Sequence, residues 1–332
     1  MGTALREVAR ASEWWEYKLV PIFALVYGSA YLAGVPIVSL WRTAIVILLA
    51  LVPGATYVSI INDVTDREDD LAAGKRNRML GRSRATIAAL IFVTTLPGFI
   101  FSWLWRNDTH LLTAYLAAWL VYSLYSLPPF RFKTRGLLGV LCDASGAHLF
   151  PTLVAVLLVF RGAHQPPPNA WLVAVAAWSF GYGLRGILWH QLFDRDNDTQ
   201  SNVRTFAQRH PVATSERLAT FFAFPLEIAG LAALFVQMRS NAPVVLLLCY
   251  LFFAWRRVRR WAMQPVIVST KPRFFIVLHE YYDVYLPFAL LLACAIRNPI
   301  DGIAAAAHLL LFPQRAIRAA RDARNLLPGA NR

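Results

Sequence analysis

Long apolar segments occupy most of this sequence of 332 residues, and they restrict its fold more than any other feature. A helix that crosses the hydrocarbon core of a bilayer needs about 20 mainly apolar residues. Segments that approach this length lie at 19–40, 43–61, 85–105, 110–127, 136–160, 170–193, 218–236, 242–255 and 274–296. We therefore predict an all-α, polytopic membrane protein with about nine transmembrane helices in a single domain over residues 1–332.

The composition supports a chain embedded in the membrane. Hydrophobic residues make up 57% of the sequence and charged residues 16%, whereas soluble domains carry roughly 45–50% and roughly 25%. These values exclude a soluble domain, a disordered chain, collagen and a coiled coil. Residues 1–18 mix polar and aromatic side chains, so we predict a cytoplasmic or interfacial segment rather than a cleavable signal sequence.

The net charge of +14 comes from 33 lysines and arginines against 19 acidic residues. Such an excess is typical of proteins that bind nucleic acid or an anionic membrane surface, and the hydrophobic composition favours the bilayer over nucleic acid. Most cations fall in residues 1–18 and in the loops after the second, fourth, sixth and eighth apolar segments. By the positive-inside rule these parts are cytoplasmic, at the inner membrane if the source is bacterial.

The basic tail at 313–332 does not fit this count, because nine spans would place it opposite the N-terminus. It carries Arg315, Arg318, Arg321, Arg324 and Arg332. The apolar run at 302–312 before it is about half as long as a span. Either this run returns the chain across the membrane, or the tail is an amphipathic helix at the far surface.

The acidic residues are few, and many of them gather in two short patches. The first reads Asn62-Asp63-Val64-Thr65-Asp66-Arg67-Glu68-Asp69-Asp70, and the second contains Asp194, Asp196 and Asp198. Each patch lies where an apolar segment meets a predicted cytoplasmic loop. Residues three or four apart share a helix face, and like charges on such a face repel one another. Both patches therefore require a counter-cation.

The chemistry of these patches favours Mg²⁺. Oxygen ligands without cysteine, and with His190 nearby, fit a hard ion better than they fit zinc. Mg²⁺ typically binds one or two carboxylates and completes its shell with water and phosphate oxygens. Basic residues near the patches would bind a diphosphate: Lys75, Arg76, Arg78, Arg131 and Lys133. The alternative is that each patch is a solvated acidic loop that balances its basic neighbours.

The spacing Asn62-Asp63-x-x-Asp66-x-x-x-Asp70, followed by Asp194-x-x-x-Asp198, resembles the aspartate motifs of the UbiA superfamily of intramembrane prenyltransferases. The segment Tyr125-Ser126-Leu127-Pro128-Pro129-Phe130-Arg131-Phe132-Lys133 is similar to a loop of many members. Lys75-Arg76-Asn77-Arg78 resembles the basic stretch after the first motif, although Met79 stands where proline is common. Thr205 also fits the pattern, and the motifs together span 62–205.

The resemblance implies a bundle of nine helices around a central cavity, in two pseudo-repeated halves that each supply one aspartate motif. It also implies a Mg²⁺-dependent enzyme that transfers the prenyl group of a polyprenyl diphosphate to an acceptor. The isoprenoid tail would run toward lipid, and the active site would face the cytoplasm.

Residue by residue, the resemblance implies two metal sites. Asn62, Asp66 and Asp70 would bind one Mg²⁺, and Asp194 and Asp198 would bind the other. The predicted catalytic residues are these four aspartates and Asp63, whose role in the motif is the least defined. The predicted contacts of the diphosphate are Lys75, Arg78, Tyr125, Arg131 and Lys133, and Tyr125 would alternatively face the prenyl cation.

Two further residues precede Asp194 on the sixth apolar segment, and we predict that they bind substrate. Arg185 lies in mid-span, where an arginine marks a functional site or a buried ion pair, so it would contact an anionic acceptor or pair with a buried acid. His190 would orient a ligand, accept the proton of the acceptor, or serve as a polar neighbour. Other candidates for the cavity are His148 with Asp143 and Glu280 with Asp283.

Three functions remain open at this point. A terpene cyclase of the same superfamily uses the same aspartate motifs, but its prenyl cation attacks its own double bonds and no acceptor is needed. A cation transporter would use the acidic faces as ion sites, but such sites usually lie near the middle of the bilayer. The sequence leaves undetermined the acceptor, the length of the isoprenoid chain and the oligomeric state.

Overall fold

The computed structural model describes residues 8–72, 74, 76–200, 204–269 and 272–327, and helices dominate it. In chain order these are α1 Ala11–Ala33, α2 Trp41–Thr65, α3 Arg67–Ala72, α4 Arg84–Leu104, α5 Thr109–Ser126, α6 Leu137–Ala144, α7 Phe150–Gly162, α8 Asn169–Phe193, α9 Arg195–Gln200, α10 Phe206–Arg209, α11 Val212–Leu218, α12 Phe224–Met238, α13 Ala242–Trp261, α14 Leu286–Arg297, α15 Gly302–Leu311 and α16 Pro313–Leu326. Single π-helical turns at Ser145–Leu149 and Ala219–Ala223 join α6 to α7 and α11 to α12.

Five helical stretches of the described residues are long and apolar enough to cross a membrane: Ile37–Thr65, Arg84–Leu104, Leu137–Gly162, Asn169–Phe193 and Val212–Met238. They support a helical, multi-pass membrane protein. The predicted count of nine spans is not confirmed and stays a prediction. Other long helices are more polar, since α1 contains Glu13, Glu16 and Lys18 and α13 ends in a cluster of arginines.

Two short strands depart from the predicted all-helical pattern. β1, Gln264–Val266, pairs in parallel with β2, Phe274–Ile276. The ninth predicted span, 274–296, therefore begins as a strand, and a π-helical turn at Tyr281–Tyr285 leads into α14. Phenylalanine and isoleucine are favoured in strands, and the backbone of β1 supplies the hydrogen-bond partners that a helix would otherwise provide. The helical prediction was wrong for the first part of this segment.

Helix α8 is packed closely on two sides because glycines allow the backbones to approach. A Cβ atom at Gly230 of α12 would lie 2.3 Å from the backbone nitrogen of Trp178. On another side, a Cβ atom at Gly183 would lie 2.9 Å from the carbonyl oxygen of Ala144 in α6. Helices α6 and α12 thus hold α8 in place, and the end of α8 presents the second acidic patch.

The apolar run at 302–312 forms α15, which lies antiparallel beside α1. At one end, the backbone nitrogen of Val38 donates to Asp301 Oδ1 at 3.1 Å. At the other, Trp15 Nε1 donates to the carbonyl oxygen of Leu311 at 2.9 Å. The run therefore starts near Val38, which follows the C-terminal end of α1, and brings the chain back to the N-terminal end of α1.

The basic tail forms α16, which is held at that same end. The carboxylate of Glu16 accepts hydrogen bonds from the backbone nitrogens of Gln314 and Arg315 at 2.8 and 2.7 Å. Arg257 Nη2 lies 3.2 Å from Asp322 Oδ2 and fixes the far part of α16 to α13. Of the two alternatives for the tail, the structure favours the one in which the run at 302–312 returns the chain.

Candidate active site

The first acidic patch lies where α2 ends at Thr65 and α3 begins at Arg67, with Asp66 between them. The helical hydrogen bonds continue across this break, because the backbone nitrogen of Asp66 donates to the carbonyl oxygen of Asn62 at 2.9 Å, and that of Asp70 donates to the carbonyl oxygen of Asp66 at 2.8 Å. Asn62, Asp66 and Asp70 therefore occupy successive helical turns. The hydroxyl of Ser126 donates to Asn62 Oδ1 and restrains the amide.

The second acidic patch repeats this arrangement at the end of α8. The backbone nitrogen of Asp194 donates to the carbonyl oxygen of His190 at 2.9 Å, and that of Asp198 donates to the carbonyl oxygen of Asp194 at 2.8 Å. His190 Nδ1 lies 3.3 Å from Asp194 Oδ2, and Thr205 Oγ1 donates to Asp198 Oδ2 at 3.2 Å. His190, Asp194 and Asp198 thus succeed one another along one face.

The two faces meet in one pocket of about 170 Å³, which we call the acidic pocket. It is lined by most of the residues that the sequence singles out: Asn62, Asp66, Asp70, Tyr125, Lys133, His190, Asp194, Asp198 and Thr205. The motifs are far apart in the sequence, so the fold, and not local structure, brings them together. The pocket is also lined by Asp69, Ile187 and Gln191.

Two cations from the loop between α5 and α6 bind the carboxylates of the first patch. Arg131 Nη2 lies 3.0 Å from Asp66 Oδ1 and 2.7 Å from Asp69 Oδ2, and Lys133 Nζ hydrogen-bonds to Asp66 Oδ1. Burial lowers the pKa of the Lys133 ammonium below its usual value, while the charge of Asp66 acts to raise it. Both cations are thus held at the edge of the acidic pocket.

The donor set of the acidic pocket fits a hard divalent cation, since it consists of carboxylate and amide oxygens. Within the residues that the structure describes, no three acidic, histidine or cysteine side chains come close enough to hold a metal ion by themselves. Mg²⁺ usually keeps several waters and binds one or two carboxylates together with substrate phosphates. The residues fit a metal that is completed by its substrate.

Several predicted site residues lie elsewhere. The side chain of Asp63 is 3% exposed and bonds Arg10 Nη1 at 3.3 Å and the backbone nitrogen of Arg78 at 3.2 Å. The guanidinium of Arg78 lies 2.6 Å from Glu13. The structure therefore brings neither Asp63 nor Arg78 to the acidic pocket. Lys75 falls outside the described residues.

Asn77 is a residue of the site that sequence reasoning missed. Its Nδ2 donates to Asp70 Oδ2 at 2.8 Å and to the carbonyl oxygen of Asp63 at 2.6 Å. Its Oδ1 accepts from the backbone nitrogen of Met79 at 2.9 Å. The buried amide thus orients Asp70. The basic stretch of the sequence contains Asn77, but an uncharged residue among cations gives no signal of this role.

A larger cavity of about 590 Å³ adjoins the acidic pocket, and both are lined by Asn62, Ile187, His190 and Asp194. Aromatic side chains form much of its wall, among them Tyr57, Tyr115, Trp119, Tyr122, Tyr182 and Trp189. Ring faces stabilise a nearby positive charge, and they also offer apolar surface to a hydrocarbon. This aromatic cavity is therefore suited to an apolar chain whose polar end lies among the carboxylates.

Polar groups also reach the aromatic cavity. Lys18 Nζ lies 3.0 Å from His148 Nε2, and Asp143 lines the same space. Arg185 lines it too, but its guanidinium forms a bidentate pair with Glu227, with both distances at 2.7 Å. Of the two roles considered for Arg185, the structure favours the buried ion pair.

The second pair of candidate acids lies outside the cavity lining. Glu280 lies 2.5 Å from Arg257. Asp283 is buried, and its Oδ2 lies 3.7 Å from Nη1 of Arg315 in the tail helix α16. Both acids therefore serve the packing of α16 and α13 against the turn at Tyr281–Tyr285.

A model of the UbiA prenyltransferase family matches residues 20–278 of the chain. The lycopene elongase/hydratase of Halobacterium salinarum is 30% identical over 200 residues, which cover 58% of this chain and 66% of that protein. The protein of the same name from Haloferax volcanii is 29% identical over 205 residues, which cover 59% and 63%. The match thus spans slightly less than two thirds of either relative.

Solved structures with a similar fold include a UbiA homolog from Archaeoglobus fulgidus. Its complex with DMAPP and Mg²⁺ has a TM-score of 0.55 at 16% sequence identity, over 88% of this chain and 98% of that chain. Its complex with GPP and Mg²⁺ has a TM-score of 0.52 at 14% identity, over 90% and 99%. At these identities the similarity establishes the fold.

Proposed function

The chain belongs to the UbiA prenyltransferase family, and from this premise we propose that it transfers a prenyl group from a polyprenyl diphosphate to an acceptor in a Mg²⁺-dependent reaction. One observation carries the proposal: both aspartate motifs line a single pocket, and this pocket adjoins an aromatic cavity. A prenyl diphosphate has the same two parts, a charged head and an apolar chain.

In the proposed reaction, Asn62, Asp66 and Asp70 hold one metal ion, and Asp194 and Asp198 hold a second. The bound metal supplies positive charge that offsets the charge of the departing diphosphate. Lys133 and Arg131, which neutralise Asp66 and Asp69, would be available to phosphate oxygens once those carboxylates bind metal.

The bond between the first prenyl carbon and the bridging oxygen breaks, and both electrons leave with the diphosphate. The allylic cation that remains is held in the aromatic cavity, where ring faces stabilise it. The acceptor then attacks the first carbon and loses a proton. His190 adjoins Asp194 and lines both spaces, which supports it as the group that accepts this proton.

The relatives suggest the first acceptor to test. Both curated relatives are named lycopene elongase/hydratase, which indicates a carotenoid acceptor for them. We therefore propose that the prenyl acceptor of this chain is an isoprenoid hydrocarbon, one end of which would enter the aromatic cavity.

The test is diphosphate release by the purified, lipid-reconstituted protein with Mg²⁺ and a series of prenyl diphosphates, with and without lycopene. Asp66→Asn and Asp194→Asn should each lower turnover by at least about 100-fold, since each removes a charged metal ligand. Asp196→Asn is the matched control, because this neighbouring acid is exposed and does not line the pocket.

Three outcomes would change the assignment. Turnover like that of the wild type in both motif variants would contradict it. A cyclic hydrocarbon formed without any acceptor would identify a terpene cyclase instead. Cation flux into proteoliposomes without diphosphate release would identify a transporter.

A further inference from the structure

Gln191 is a polar residue of the acidic pocket to which neither the motifs nor the comparisons give a role. It lies on α8 three residues before Asp194, and it is 4% exposed. Its Oε1 accepts a hydrogen bond from the backbone nitrogen of Ala207 at 3.3 Å. Its Nε2 is buried and has no hydrogen-bond partner in the part of the chain that the structure describes.

The orientation of this amide follows from its surroundings. If the amide were flipped, Nε2 would face the backbone N–H of Ala207, and two donors would oppose each other. The observed orientation pairs one end with a donor and leaves the other end as a free donor. A buried N–H group without an acceptor is unfavourable, so Nε2 requires an acceptor that the described residues do not supply.

The position of Gln191 indicates which ligand would supply that acceptor. Gln191, Asp194 and Asp198 share one face of the chain, because they are spaced by three and four residues. Gln191 is the innermost of the three and borders Ile187, which lines both the acidic pocket and the aromatic cavity. This is the place where the head of a prenyl diphosphate would join its chain. A hydrocarbon carries no hydrogen-bond acceptor, whereas a phosphoryl oxygen is a charged one.

We propose that Gln191 Nε2 donates a hydrogen bond to a phosphoryl oxygen of the bound prenyl diphosphate and so positions the leaving group above the second aspartate motif. This inference rests on the proposed function. It adds an uncharged donor to a site that is otherwise described by carboxylates and cations. Gln191 is a substrate-binding residue in this assignment, and the contact it makes is with the prenyl diphosphate rather than with the prenyl acceptor.

Two substitutions separate binding of the ligand from anchoring of Ala207. Gln191→Met removes both the donor and the acceptor at similar volume and adds no charge. Gln191→Glu keeps an oxygen for the Ala207 N–H but loses the donor. Gln237→Met is the matched control, because Gln237 of α12 bonds the carbonyl oxygens of Ala170 and Ala233, away from the acidic pocket.

The probe is inorganic pyrophosphate with Mg²⁺, and calorimetry measures its binding to the reconstituted protein. Thermal unfolding and steady-state kinetics are measured on the same variants. Loss of one hydrogen bond to a charged group should raise the Kd in Gln191→Met by about 10- to 100-fold. The KM for the prenyl diphosphate should rise equally, and that for the acceptor should not change. Gln191→Glu should bind still more weakly, because it adds a negative charge beside Asp194 and Asp198.

Other outcomes overturn the inference. If Gln191→Met binds pyrophosphate as the wild type does, Nε2 makes no contact with the ligand. If Gln191→Glu also binds normally and only Gln191→Met is less stable, the residue merely anchors Ala207. If the wild type neither binds pyrophosphate with Mg²⁺ nor consumes prenyl diphosphates, the proposed function fails as well, which distinguishes the two failures.

Discussion

The buried pair of Arg185 and Glu227 lends itself to a quantitative prediction. The side chains are 2% and 0% exposed, and the guanidinium also donates to the carbonyl oxygen of Val277 at 2.9 Å. The hydroxyl of Tyr282 donates to Glu227 Oε1 at 2.7 Å. Arg185→Met would leave the carboxylate of Glu227 buried with this hydroxyl as its remaining described partner.

Breaking such a pair from one side costs about 3–5 kcal/mol, because a buried charge loses its counter-charge. We expect this cost for Arg185→Met and for Glu227→Met. The double variant removes both charges and leaves two neutral groups unpaired, the Tyr282 hydroxyl and the Val277 carbonyl, at about 1–3 kcal/mol. The double variant should therefore be at least about 3 kcal/mol more stable than the sum of the single variants predicts.

The measurement is a double-mutant cycle on the free energy of unfolding in mixed micelles, combined with the kinetics of the folded double variant. Additive effects of the two substitutions would refute the ion pair as the main role of Arg185. A stable double variant that had lost more than about 100-fold in kcat/KM would show instead that the guanidinium acts on substrate, as the sequence also allowed.

Three further predictions follow from the packing and the charges. Gly230→Ala should destabilise the protein by more than about 2 kcal/mol, because its Cβ would lie 2.3 Å from the backbone nitrogen of Trp178. As a control, Gly186→Ala, whose Cβ would have no atom within 4 Å, should be neutral or stabilising by up to about 1 kcal/mol. Thermal unfolding of both variants checks the prediction. Glu16→Ala should destabilise the start of α16 by about 1–2 kcal/mol, because the backbone nitrogens of Gln314 and Arg315 lose their acceptor. Limited proteolysis should then cleave the tail faster. An unchanged cleavage rate would show that the Glu16 carboxylate does not hold α16 in place. Lys133→Met should weaken binding of Mg²⁺–pyrophosphate by about tenfold or more, since it removes a cation from the acidic pocket, and calorimetry should detect the loss.

The relation between the two acidic patches was partly predictable from the sequence. Spacings of four residues place Asn62, Asp66 and Asp70 on one helical face, and likewise Asp194 and Asp198, whatever the tertiary structure is. The structure adds that helical hydrogen bonding continues through both helix ends and that the two faces line one pocket. No local rule predicts that meeting, and it entered the sequence argument only through the family resemblance.

Other parts required the three-dimensional structure. The segment at 274–276 is as apolar as a span, and only the partner strand at 264–266 reveals that it is extended. Charge counting could not place the basic tail, because the half-length run at 302–312 permitted either side. The bonds between Val38 and Asp301 and between Trp15 and Leu311 favour the return of the chain, and they connect residues almost the whole chain apart.

Asp63 and Asp66 show why residue type and spacing do not determine a role. They are three positions apart, and on a regular helix both would face the acidic pocket. Asp63 lies within α2, whereas Asp66 follows its last residue, Thr65, and the environments of the two carboxylates differ. Asp63 is 3% exposed and is bonded by Arg10 and Arg78, whereas Asp66 is 24% exposed and is neutralised by Arg131 and Lys133. The first carboxylate therefore ties the end of α2 to the start of α1. The second is neutralised by long side chains at the rim of the pocket, so under the proposed function a metal ion would replace these partners without unfolding the helix.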